Sequence, residues 1–315
     1  MNIFKLIPAL LITVPLLTPN VNCTVGCDST DGYFNISQIS DGQISVGQVN
    51  TGQVSVSSQS TAAGLIDGID IGSLPLKTPE GIMELDEYVF GVLLGELPYT
   101  FDANAFAAQA VAARSYCLYC SDRGMTIQCA YDTPESLAAD YGDEYARASV
   151  EAARRAVEST AGTLAVYEGE PISALWHSSS HGRTENSVNV WVCFEYLISV
   201  ETYEEGEFLA STVEIPLGDV YSRLYDAGYD YNMKESVWVT YDDCGRCDEL
   251  ILGDVSLSGC DARTIFGLKS TDFTARFESG RLVFNVYGYG HGVGMSQYGA
   301  EWLAEAGWDW QSILL

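Results

Sequence analysis

Glu96 stands where an apolar helical stripe ends, and that position gives it more chemical promise than any other residue in the chain. Leu85, Tyr88, Val89, Val92 and Leu93 recur at the spacing of a buried helix face, and Glu96 returns to the same side before Pro98 ends the helix. A glutamate on an inward face loses hydration, which disfavours its charged form. Its pKa then rises toward the range that suits a general acid. Downstream, AAQAVAAR carries Gln109 and Arg114 among alanines that let another backbone come close. Arg114 falls near a packed face and needs a partner, which a carboxylate such as Glu96, a polar substrate or a purely structural ion pair would supply.

A third group lies near the C-terminus. Glycines at 288, 290, 292, 294 and 299 surround His291 and place Ser296, Gln297 and Tyr298 on a loop that opens into a helix. These glycines do not spell GxGxxG and no GK[ST] follows, so a nucleotide site is not indicated. The segment WHSSSHGRTENSVNVW sets His177 four residues before His181, as in helical metal ligands, but its Ser and Gly content reads as a loop and no HExxH glutamate is present. No GxSxG elbow occurs either, so a serine-hydrolase triad lacks its mark. These polar residues are expected to shape a cleft. No metal and no cofactor is expected.

The elements that must position these groups divide the chain. Residues 1–22 carry Lys5 and the apolar run LIPALLITVPLL, too short to span a bilayer as a helix and suited to a signal peptide or membrane anchor. Residues 23–72 are rich in Gly, Ser and Gln, with a Gly-Gln echo every five residues, and read as a tether. From 73 to 315 the pattern is globular. Helices are expected at about 82–96, 102–120 with Asp102 as N-cap, 142–159, and from just after Ser296 to Gly307. Strands are expected in TLAVYE, ISALWH, around Val190, and at 236–241, 249–257 and 263–268. The clearest hairpin is DFTARFESGRLVFNVYG, turning at Ser279-Gly280. Helices followed by strands predict an α+β fold in which a helical part carrying Glu96 packs on a β-rich part with a groove between them.

Composition narrows the partners. A formal charge of −28, from 43 acidic and 15 basic residues with no basic cluster, argues against nucleic acid and against charge-driven adhesion to anionic lipid. Nine cysteines leave at least one without an intrachain partner. The Cys244-Gly-Arg-Cys247 loop suits a tight disulfide, a redox pair or half of a zinc site.

The segments Glu84–Val92, Gly95-Glu96-Leu97-Pro98, Ala107–Tyr116 and Gly290–Ala300, with His177-Ser178-Ser179-Ser180 and Trp191 between them, resemble the SpoIID family. This is the stage II sporulation protein D group of cell-wall enzymes, which includes the LytB-type amidase enhancers. The resemblance implies a lytic transglycosylase that cleaves peptidoglycan glycan strands and leaves 1,6-anhydro-N-acetylmuramic acid ends. Glu96 falls on the catalytic position and Arg114 on the motif arginine, with Gln109, His177, His291, Ser296, Gln297 and Tyr298 binding substrate. The alternative it implies is a non-catalytic enhancer that binds glycan or a cell-wall amidase. Either way the expected location is extracytoplasmic, secreted or membrane-anchored at the cell wall. A zinc site reported for some relatives is not carried over, because its ligand spacing is not reproduced around His177 and His181.

Overall fold

The structure, a computed structural model, describes residues 69–315 except 207, 208 and 233, together with short strands at 55–58 and 65–66. The leader, most of the expected tether, Cys23 and Cys27 lie outside the described residues. No described helix is long and apolar enough to cross a membrane.

The chain enters as β1 (Ser55–Ser58), β2 (Leu65–Ile66) and β3 (Ile69–Asp70), followed by a 3-10 turn at Ile71–Ser73 and the hairpin β4 (Pro75–Thr78) and β5 (Gly81–Glu84). Four helices follow: α1 (Leu85–Glu96), α2 (Ala103–Asp122), α3 (Pro134–Tyr141) and α4 (Asp143–Ser159). Then come β6 (Thr163–Tyr167), β7 (Glu170–Pro171), β8 (Trp176–His177), the single turn α5 (Ser187–Val190), β9 (Ala210–Pro216) and α6 (Leu217–Asp226). The rest is β10 (Val237–Tyr241), β11 (Cys247–Leu252), β12 (Val255–Ser258), α7 (Gly259–Phe266), β13 (Phe273–Glu278), β14 (Arg281–Tyr287), β15 (Met295–Ser296), α8 (Gln297–Glu305) and α9 (Trp310–Leu314). The expected α+β class is the one observed.

Two apolar cores account for it. The helical core is made by Leu85, Tyr88, Val92 and Leu93 of α1 against Phe106, Ala110 and Ala113 of α2 and Ala153 and Val157 of α4. Small residues on α2 allow α1, α4, β6 and α8 all to pack around it. The second core lies between β9-β14-β13, β10-β11-β12 and helices α6 and α7, with Leu250, Phe266, Phe273 and Phe284 buried at its centre. Each such fully buried apolar side chain contributes roughly 1.5–3 kcal/mol relative to exposure.

Several expectations shift. Residues 82–84 are strand, paired with β4, and the helix begins only at Leu85. Ser55–Ser58, inside the expected tether, pair antiparallel with β6. The stretch 263–268, expected as strand, is the end of α7, which Ser258 caps by accepting the Asp261 N–H and Gly267 closes at φ 68°. Its apolar residues Ala262 and Phe266 lie four apart, a helical spacing masked by the short length. Of ISALWH only Trp176 and His177 form a strand. The 272–288 hairpin stands as expected, with Ser279 and Gly280 both at positive φ, as a two-residue turn between twisted strands requires.

Arg114 ties the helical half together. Its guanidinium has no exposure, and Nε donates to Asp86 Oδ1 at 2.7 Å. Nη1 donates to the carbonyls of Thr160 (3.0 Å) and Thr163 (3.2 Å), and Nη2 to that of Val157 (3.4 Å). The partner is therefore Asp86 at the start of α1, not Glu96 at its end. Arg114→Ala is expected to cost about 3–5 kcal/mol of unfolding free energy, because a carboxylate and three carbonyls lose their donor together. Denaturant unfolding measures this, and a loss below about 1 kcal/mol would contradict the assignment.

Candidate active site

Two sequence-distant segments and one loop converge on Glu96. The loop after α2 approaches because residue 95 is glycine. A Cβ there would lie 2.8 Å from Tyr131 N and 2.9 Å from the Ala130 carbonyl carbon, so any larger residue would push the loop away. In its observed place, Ala130 N–H donates to Glu96 Oε1 at 3.0 Å. The second approach is made by β15, which pairs in parallel with β8 so that Met295 faces Trp176 and Ser296 faces His177. That pairing requires Gly294, at φ 75°, where a Cβ would collide with the Leu175 carbonyl.

The splice sets Gln297, first residue of α8, against the carboxylate. Gln297 Nε2 donates to Glu96 Oε2 at 2.9 Å and lies 3.5 Å from Oε1 of the fully buried Gln109, which orients the amide. The Trp176 side chain supplies a further hydrogen bond to Glu96. The donors are all neutral. Burial of the Glu96 carboxyl pushes its pKa up, and the bonds from Gln297, Trp176 and Ala130 oppose this without reversing it.

His291 joins this group through Trp176. Its Nδ1 accepts the Val293 N–H at 3.1 Å, which leaves the proton on Nε2, and the ring hydrogen-bonds the Trp176 backbone. Burial, with Arg263 and Arg246 nearby, pulls its pKa down to about 3, so the imidazole is neutral at physiological pH. Trp191, 46% exposed, meets the His291 ring edge-on at 4.8 Å.

The other expected residues occupy different places. His177 is buried beneath the site, with Nδ1 bonded to the Val293 carbonyl (3.2 Å) and Nε2 to Ser180 Oγ (2.6 Å), leaving neither nitrogen for a substrate or a metal. Ser296 caps α8, accepting the Gly299 N–H and donating to Glu204 Oε1 at 2.7 Å. Tyr298 packs its ring edge-on against Phe101 at 5.1 Å. Arg114 is sealed in the helical core and faces Asp86, as described above. Glu96, Gln109, Gln297 and His291 are thus brought together; His177 lies next to His291, ring centres 5.9 Å apart, with both nitrogens occupied, and Arg114 has Asp86 as its ion-pair partner instead of Glu96.

Sequence reasoning missed Trp176 and the Ala130 N–H. The tryptophan lies in a stretch whose apolar pattern does not say which side chain faces a carboxylate, and a backbone donor leaves no sequence signal at all. The pair Cys244 and Cys247 consists of free thiols that go to different neighbours, Cys244 to Asn186 and Cys247 into the β-rich core. Among the described residues, Glu185, Asp242 and Cys244 bring donor atoms within 4.8 Å of one another. Glu185 there already accepts from Asn186 and Asn189, and Arg246 Nε stands 3.7 Å away as the local cation.

The site is thus a single desolvated carboxyl set among neutral donors, at the seam of an α+β fold. Residues 80–167 match the family described as SpoIID, Stage II sporulation protein. The chain is 32% identical over 246 residues to stage II sporulation protein D of Bacillus amyloliquefaciens, covering 71% of this chain and 69% of that protein. It is 29% identical over 241 residues to the Bacillus subtilis protein of the same name, with the same coverage of each. It is also 26% identical to the amidase enhancer of Bacillus subtilis, over 71% of this chain and 38% of that protein. The chain belongs to the stage II sporulation protein D family.

Replacing Gln297 by Leu removes a donor that favours the charged carboxylate, so the pKa of Glu96 should rise further. Carboxyl carbon NMR titration of wild type and Gln297→Leu measures the shift, and a downward or absent change would show that the contact does not act on the carboxylate.

Proposed function

We propose that this chain is a peptidoglycan lytic transglycosylase in which Glu96 is acid and then base. The observation that carries the reading is the Glu96 carboxyl itself: desolvated, with a raised pKa, and fixed in direction by donors that bring no opposing charge. In its protonated form it gives the proton to the glycosidic oxygen that leaves C1 of N-acetylmuramic acid. As carboxylate it then takes the proton of that sugar's 6-hydroxyl, whose oxygen closes on C1. One C–O bond breaks, one forms, and the proton returns to Glu96. Water takes no part, so the second carboxylate of ordinary glycoside hydrolysis has no task here. The exposed Trp191, whose ring meets His291 edge-on, offers an aromatic surface of the kind that packs on sugar faces.

The location that goes with this reading is extracytoplasmic, with residues 1–22 directing export or anchoring the chain at the wall. A role in wall remodelling during sporulation accords with the names of the relatives. The likeness to an amidase enhancer favours a second reading, in which the chain holds glycan or a cell-wall amidase without cutting.

Digestion of purified glycan strands, intact and stripped of stem peptides, followed by mass analysis for 1,6-anhydro ends, separates the two. Wild type should release such ends and Glu96→Gln should lose about 10²–10⁴-fold in rate while keeping its fold. Absence of product from both proteins, combined with faster cleavage by an added amidase, would establish the enhancer reading instead. The acid form is needed for the first step, so activity should fall as pH rises through the elevated pKa of Glu96. A flat profile between about pH 4 and 9 would rule out that proton transfer as the step that sets the rate.

A further inference from the structure

Three thiols stand behind the candidate active site, and none takes part in the proton transfer proposed for Glu96. Cys117 and Cys120 continue the Ala110 and Ala113 stripe of α2, the face that shares an apolar core with α1. Cys129 reaches the same core from the loop after α2. The chain reverses at Gly124, at φ 59° in the left-handed region, and runs back along the helix it has just left. On the return Ile127 is buried and the Gln128 backbone hydrogen-bonds the Tyr116 side chain. Cys129, one residue on, comes opposite Cys117, and the two side chains hydrogen-bond each other.

The pairing is selective. Cys120 is hydrogen-bonded to Tyr116 instead, and it projects beside Cys117 on one helix face rather than toward it. A bridge between Cys117 and Cys129 needs the two sulfurs to close a remaining gap. Residues 125–133 belong to no helix or strand, so the loop can supply that approach while α2 stays in place.

This loop is the one that serves the acid. On the α1 side it is held by the Ala130 N–H on Glu96 Oε1 (3.0 Å), the Asp132 N–H on the Gly91 carbonyl (3.0 Å) and the Tyr131 ring stacked on Tyr88 at 5.3 Å. On the α2 side the thiol contact at Cys129 adjoins the very residue whose N–H meets the carboxyl. A covalent bond there would fix the donor from its second flank.

We infer that Cys117 and Cys129 are a disulfide site that closes the 125–133 loop onto α2 and holds the Ala130 N–H against Glu96. The inference takes from the reading above an extracytoplasmic location, where disulfides persist. The bond forms by exchange with a disulfide oxidant. One cysteine thiolate attacks the oxidant and expels its first thiolate, and the other cysteine thiolate displaces the second from the mixed disulfide. One S–S bond breaks and one forms, the two cysteines are oxidised, and the oxidant leaves as two thiols carrying the two protons. The hydrogen bond with Cys117, together with burial, holds the Cys129 thiol well above its ordinary pKa, so its thiolate is scarce once the fold is closed. Exchange therefore belongs to the stage at which the loop docks.

The test is refolding of the full chain in mixed oxidised and reduced glutathione, then alkylation of the remaining thiols, tryptic digestion and fragment-ion mass analysis. Cleavage after Arg114, Arg123 and Arg147 leaves Cys117 and Cys120 in one peptide and Cys129 in another. The two peptides should be linked through Cys117, with Cys120 alkylated, and Cys120→Ser should keep the link. In the linked chain the Ala130 amide should exchange with solvent about tenfold more slowly than in the same chain reduced, read by NMR. Alkylation of both Cys117 and Cys129, a bond from either to another cysteine, or loss of the link in Cys120→Ser overturns the pairing. A Cys117–Cys129 link that leaves Ala130 exchange unchanged overturns the hold on Glu96. Neither readout depends on glycan cleavage, so a linked, protected chain that releases no 1,6-anhydro ends supports the disulfide and removes only the catalytic reading.

Discussion

A guanidinium without access to water must have its donors matched, and the matching of Arg114 fixes the frame on which the site is built. Asp86 opens α1, Val157 and Thr160 end α4, and Thr163 begins β6, so one side chain of α2 holds the start of one helix, the end of another and the first inner strand. Charge-assisted bonds of this kind are directional, and several of them on one planar group leave little freedom. With the start of α1 pinned and its apolar face buried, the other end of α1 has a defined position. Glu96 is there. The arginine acts on the acid from the opposite end of a helix, without touching it.

The second constraint is steric. β8 and β15 are separated by more than a hundred residues, yet they must lie side by side for Gln297 and Trp176 to reach one carboxylate. Gly294 permits the close pass of the backbone at the Leu175 carbonyl, and Gly95 permits the pass of the 130–131 loop. Both glycines stand where a Cβ has no room, which accounts for their value better than flexibility does. The bridges from Ser179 to Tyr289 and from Glu185 to Val293 continue the same junction and bind the β-rich half to the helical one.

The electrostatics of the junction follow from what these passes exclude. Water is displaced from Glu96, and the groups that replace it are an amide, an indole and a backbone N–H rather than a lysine or arginine. A cation there would lower the pKa of the acid; neutral donors orient it and leave the effect of burial in control. The histidines conform to the same scheme. Burial, with further contributions from Arg246, holds His177 and His291 neutral, so no positive imidazole stands next to the acid.

The sequence by itself determined the α+β class, the helix that ends at Glu96, the N-cap at Asp102, the 272–288 hairpin and the acidic character that disfavours nucleic acid. These are local properties: periodicity, capping and turn chemistry act between residues a few positions apart, and net charge needs no geometry. It also singled out Glu96, Gln109, Gln297 and His291, because an inward-facing carboxyl and a glycine-framed imidazole are legible as types and spacings. For Arg114 it left a carboxylate such as Glu96, a polar substrate and a structural ion pair open; the outcome is the ion pair, with Asp86, because both ends of α1 carry carboxylates and helical spacing alone does not say which end α2 crosses. A helix as short as α7 is not told from a strand by its pattern, because two turns carry too few periods to show 3.6 rather than 2. Only the tertiary structure decided that Trp176 and Ala130 serve the acid and that His177 does not. Those outcomes depend on which distant backbones come within hydrogen-bond range, and that is set by packing two cores against one seam.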